Sequence, residues 1–73
     1  MLFDWDAANV EHIARHGITP DECEEACRNG PMVIERQKRK KGRRRLCLGE
    51  TNRGGLLTFV VIERTGKIRF VTA

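Results

Sequence analysis

Hydrophobic positions change their spacing near Gly30, and that change divides the chain into a helical part and a strand part. Before it, Ala7, Val10, Ile13 and Ala14 recur at three- and four-residue intervals, the period of an amphipathic helix. Asp4 or Asp6 can cap this helix, and Gly17 marks its end. Thr19-Pro20-Asp21-Glu22 then reads as a capping box, with proline at the first helical position and acidic residues where the helix dipole favours them. Cys23, Ala26 and Cys27 share one face of this second, short helix, which stops at Asn29-Gly30.

After Gly30 the pattern is that of strands. Met32-Val33-Ile34 is a short apolar run and Arg45 to Gly49 another, joined by a basic loop that contains Gly42. Thr51-Asn52-Arg53-Gly54-Gly55 is a turn. Leu56 to Arg64 is the longest apolar stretch and predicts the central strand. A tight turn at Thr65-Gly66 leads into Lys67 to Thr72, where Ile68 and Phe70 alternate with Arg69 and Val71. The order α-α-β-β-β-β predicts an α+β fold, with two N-terminal helices packed on a four-stranded antiparallel sheet. A chain of 73 residues has room for one core, so residues 1–73 are read as a single domain.

Charge changes this picture. The chain carries a net charge of +4, unevenly spread. Residues 1–30 hold seven acidic and two basic side chains, whereas residues 31–46 hold eight basic ones against Glu35. The basic run is Arg36, Lys38, Arg39, Lys40, Lys41, Arg43, Arg44 and Arg45. Such a density repels itself and calls for a polyanion or an acidic partner. These side chains are therefore candidate phosphate-backbone contacts. The plainer reading is a solvated hairpin loop that keeps the protein in solution, and a basic run specifies neither sequence nor chemistry.

Composition excludes several classes. No apolar run approaches the roughly 20 residues that span a bilayer, and the opening MLFDWDAANV is acidic rather than signal-like. A membrane protein and a secreted precursor are both read as excluded. Three cysteines cannot all pair within one chain, which favours a reducing, cytoplasmic setting.

The first helix has a second stripe. Trp5, Asn9, His12 and His16 lie at i, i+4, i+7 and i+11, on a row roughly 130° around the helix from the apolar stripe. Histidines at the edge of a packed face, beside a sheet rich in arginine, suit proton transfer. They suit equally a polar surface, with His16 favoured near a helix C-terminus. His12 and His16 repeat the spacing of Cys23 and Cys27, a two-ligand interval for zinc. The cysteines fall on an apolar face, where cysteine serves as a small hydrophobe, so no metal or other cofactor is expected. Cys47 has no sequence neighbour that would activate it.

RNA cleavage without a metal needs a base for the 2′-hydroxyl proton, cations for the phosphorane charge and an acid for the leaving 5′-oxygen. Arg45, Arg53, Arg64, Lys67 and Arg69 supply isolated cations, arginine being suited by its forked donors. Glu63 or a histidine supplies the base. The residues by themselves support a basic nucleic-acid-binding domain and permit a ribonuclease.

The start Phe3-Asp4-Trp5-Asp6, followed by Asn9, His12, Arg15 and His16-Gly17-Ile18, resembles the opening of BrnT-type toxins. The stretches Arg45 to Thr51, Gly55 to Val61 and Lys67 to Ala73 look like the sheet of that family. The resemblance implies a RelE-like ribonuclease toxin of a type II toxin–antitoxin pair. It implies RNA as substrate, cleaved without a bound cofactor so that translation halts, and a ribbon-helix-helix antitoxin of BrnA type as partner. Carried over by position, His16 falls on the family's histidine, Trp5 and Asp6 on its opening pair, and Arg45 and Arg69 on basic positions of its sheet. Asn9 stands where the family usually has lysine, His12 where it has asparagine, and Arg15 replaces a lysine. The family's basic C-terminal helix is absent from this chain, which is therefore expected to leave a sheet face or edge uncovered, or to complete itself as a homodimer. The candidate catalytic residues are His16, Arg45, Arg53 and Arg69, with His12 and Glu63 added. The rival readings are a non-catalytic module that binds nucleic acid through residues 36–45, and a protein-interaction module.

Overall fold

The computed structural model describes residues 1–40 and 42–73. They form strand β1 (Leu2–Phe3), helices α1 (Ala7–Ala14) and α2 (Pro20–Arg28), and strands β2 (Met32–Arg39), β3 (Gly42–Glu50), β4 (Leu56–Arg64) and β5 (Lys67–Thr72). The α+β class stands, but the four-stranded antiparallel sheet is corrected. The described residues form a five-stranded mixed sheet in the order β1-β5-β4-β3-β2. The extra strand is β1, paired parallel to β5 with Leu2 opposite Lys67 and Phe3 opposite Ile68, and Asp4 N–H donates to Ile68 C=O at 2.8 Å. Two residues are too few to show an alternating pattern, so only the ladder reveals this strand. The central position expected for Leu56–Arg64 is the one β4 occupies.

The basic run, expected as a hairpin loop between two short strands, is itself largely strand. It is a β-hairpin, with Arg36 opposite Arg45, Gln37 opposite Arg44, Lys38 opposite Arg43 and Arg39 opposite Gly42. The β3 half pairs with β4 as well, Arg43 facing Glu63 and Arg45 facing Val61. Weak intrinsic strand preference for lysine and arginine is overridden by ladder bonds on both sides of β3. Lys41 lies outside the described residues.

Helix α1 is turned differently from its apolar stripe. Ile13 is buried as expected, but its buried neighbour is Asn9, while Ala7 and Ala14 are exposed. Asn9 serves the capping box, its Oδ1 accepting from Asp6 N–H while Asp6 Oδ1 accepts from Asn9 N–H. Its amide nitrogen donates to Asp4 C=O at 3.0 Å, so the side chain enters the interior with its polar atoms used. The helix closes in a Schellman-type pattern, Gly17 N–H to Ala14 C=O and Ile18 N–H to Ile13 C=O, with Gly17 at φ +73°. His16 thus sits in the closing turn rather than on the helix.

Helix α2 behaves as its sequence predicts. Thr19 caps it reciprocally with Glu22, and Cys23 and Ala26 are buried with Cys27 half-buried beside them. It lies against β3 at Gly49, where an added Cβ would meet Ala26 C=O at 2.6 Å and the Phe59 ring at 3.1 Å. Trp5 Nε1–H donates to Glu24 at 2.8 Å, Arg28 pairs with Glu24 at 3.3 Å and covers the Phe3 ring at 5.2 Å. These contacts tie the chain's entry strand to α2.

The two helices cover half of one sheet face, enclosing Cys47, Leu57, Phe59, Val61, Ile68 and Phe70. The hairpin extends beyond them. On the opposite face Leu46, Leu48, Val60 and Ile62 are half-buried, and Met32 and Leu56 are exposed.

Candidate functional site

Strand alternation and hairpin register place Arg36, Lys38, Arg43 and Arg45 on one face, the same face that the helices cover further along. Glu63 is the carboxylate among them, and with Gln37 and Arg44 they line a cavity of about 540 Å³. Arg45 Nη2 reaches diagonally from β3 to Glu63 on β4 at 3.2 Å. Arg45 is more enclosed than its partner, 29% exposed against 47%, and its Nε is buried with no hydrogen-bond partner. Two like-charged pairs thus stand directly opposite each other, Arg36 with Arg45 and Lys38 with Arg43. That arrangement is unfavourable without a bound anion. Lys40 is in the exposed turn and Arg39 lies on the ladder opposite Gly42.

The remaining candidates are not brought to this face. His12, Arg64 and Arg69 border a second cleft, of about 320 Å³, between α1 and strands β4 and β5. Arg69 is committed there, its guanidinium donating to both oxygens of Asp6 at 2.9 and 3.2 Å, with Asp4 at 3.9 Å. His12 Nε2 lies 3.3 Å from Thr72 Oγ1, His16 Nδ1 lies 2.8 Å from Ala73 C=O, and the two rings meet edge-on at 5.8 Å. Arg53 is exposed in the turn that follows β3, a strand of nine residues and about 30 Å, at the opposite end from the hairpin tip.

Two features went unread in the sequence. Arg64 joins Arg69 on one face because the Thr65-Gly66 turn pairs Arg64 with Lys67 and Ile62 with Arg69. Parity across that tight turn would have found it. The carboxylate grip on Arg69 had no sequence signal, because Asp6 and Arg69 lie 63 residues apart.

The Arg69 hydrogen bond holds the Asp6 carboxyl below its ordinary value, helped by the Asn9 backbone N–H, and in turn raises Arg69. A lowered folded-state value means that this contribution is present at neutral pH. It is lost as pH falls below about 3.9, the unfolded carboxyl's own range. Asp6→Asn, which preserves a capping side chain, is expected to melt below wild type at pH 7, and the gap is expected to narrow progressively as pH falls below about 3.9. Thermal melts at pH 7 and through the acid range check this, and a gap that does not narrow on acidification contradicts it. Because Asp6 is exposed, added salt also narrows the gap.

Burial pushes the thiols of Cys23, Cys27 and Cys47 up, that of Cys23 to about 12, so they stay protonated at neutral pH and are poor nucleophiles. Among the described residues no three His, Cys, Asp or Glu side chains gather as metal ligands would. No described helix is long and apolar enough to cross a membrane.

No curated protein and no solved structure matches the chain. Residues 5–73 match the family model described as ribonuclease toxin, BrnT, of type II toxin–antitoxin system. The match takes in every element from α1 to β5, including the whole hairpin. Such a family implies RNA as substrate and an antitoxin as partner. The chain belongs to the BrnT family of ribonuclease toxins.

Proposed function

We propose that the protein holds RNA on the basic face of the β2–β3 hairpin and cleaves it there without a metal, arresting translation in the cytoplasm. The observation that carries this reading is the set of four cations around one carboxylate. The Arg69 cleft is a weaker choice, since Asp4 and Asp6 already neutralise its guanidinium. On the hairpin face Glu63 accepts the 2′-hydroxyl proton, and the 2′-oxygen attacks phosphorus. Arg45 with Arg36 and Arg43 neutralises the phosphorane, and the leaving 5′-oxygen takes a proton from water or from Lys38. Glu63→Gln is expected to bind RNA as well as wild type and to lose cleavage by about 10²–10⁴-fold. Undiminished cleavage by this variant would remove Glu63 from the mechanism.

A ribbon-helix-helix antitoxin of BrnA type is the proposed partner. The uncovered apolar face around Leu46, Leu48, Val60 and Ile62 offers it a surface. The second reading is a non-catalytic module. It is favoured by the fact that each proton-transfer candidate already has a partner, Glu63 in Arg45, His12 in Thr72 and His16 in Ala73.

A further inference from the structure

A further cavity, of about 400 Å³, opens where the helix-covered core gives way to the hairpin face. Its floor is Cys47, Phe59 and Val61, all at most 3% exposed, and its walls include Val33, Pro31 and Cys27. Arg45 and Glu63 line this cavity and the basic one alike, so the two are continuous across that ion pair. An apolar recess of small-molecule size thus adjoins a row of phosphate-binding cations, and Arg45, with its partnerless buried Nε, stands at the junction.

We infer that this recess takes one unpaired nucleobase of the RNA strand whose phosphates lie along the hairpin. The inference rests on the hairpin being the RNA site. A flat basic face would hold duplex, single strand or any polyanion according to charge alone. A recess that removes a base from water adds a term that only a strand able to splay out a base can collect. The substrate class is therefore single-stranded RNA, with paired RNA excluded because its bases cannot leave the stack cheaply.

The test uses the full chain and 2′-O-methyl RNA hexamers, which bind but cannot be cleaved through the 2′-oxygen. The single strand is compared with its duplex, with an abasic hexamer and with polyphosphate of matched charge. The single strand is expected to bind between about 5- and 150-fold more tightly than the abasic strand, the span that one stacked base supplies. Val33→Phe, which fills the recess from a half-buried wall, should erase that difference and leave polyphosphate binding unchanged. A wild-type readout guards against a misfolded variant: 2-aminopurine in the strand should become shielded from acrylamide quenching on binding. Equal binding of single-stranded, abasic and duplex RNA, with 2-aminopurine still open to quencher, overturns the base site and leaves the hairpin reading standing. Failure of every polyanion to bind overturns both.

Discussion

Phe70→Ala is expected to cost about 3–5 kcal/mol, the largest single loss in the molecule. Phe70 is fully buried, and its ring joins three parts of the chain. It stacks on Trp5 at 5.1 Å and 6°, packs against Phe3 at 6.1 Å, and meets Phe59 of the central strand at 5.3 Å. Truncation leaves a cavity between β1, the α1 cap and β4, none of which can close on it without breaking another contact. At about 0.05–0.15 kcal/mol per residue, 73 residues give a total stability of about 4–11 kcal/mol. The variant therefore loses about 12–40 °C of melting temperature or is unfolded outright. Leu56→Ala, at a side chain 74% exposed, should fall within about 0.5 kcal/mol of wild type. Melts followed through Trp5 fluorescence compare the two, and a Phe70→Ala protein as stable as Leu56→Ala would contradict this account of the core.

Replacing Arg36, Lys38, Arg43 and Arg45 together by glutamine is expected to have the largest effect on RNA. Each phosphate neutralised on a single strand contributes about −0.7 to the slope of log affinity against log salt. Four such contacts set a slope of about −2.8, so wild type should lose about fifty-fold in affinity between 50 and 200 mM salt. The quadruple variant should be flatter by that slope. Its fold should not suffer, since the substitutions remove two like-charged pairs that oppose each other across the ladder. A melting temperature at low salt equal to or above that of wild type is expected. Unchanged RNA affinity and salt slope in a folded variant would move the binding site away from the hairpin.

Most of the architecture was legible because it follows from local chemistry. The α2 box at Thr19-Glu22, the β4 and β5 alternation and the turn at Thr65-Gly66 are each encoded within a few residues. What escaped depended on partners distant in the chain. Strand β1 exists through β5, and the orientation of α1 is set by Trp5 stacking on Phe70 and by Asn9 finding backbone acceptors. Alanines at positions 7 and 14 are too small to dictate which way an eight-residue helix turns. The candidate site followed the same division. The cations were evident as residue types, but which of them share a face depends on the hairpin register, and a loop has none. Arg45 and Glu63 are both conspicuous as residue types, but their pairing depends on the alignment of β3 with β4. His16 and Arg53, chosen by position and by charge, lie away from that pair.

The most direct measurement is the fate of a labelled mixed-sequence RNA incubated with purified protein in EDTA and RNase inhibitor, beside Glu63→Gln and Arg45→Gln proteins purified identically. The account predicts fragments ending in 2′,3′-cyclic phosphate with wild type, and bound but intact RNA with Glu63→Gln. Intact RNA with wild type, cleavage only when a divalent metal is restored, or cleavage by both variants equal to that of wild type would contradict it.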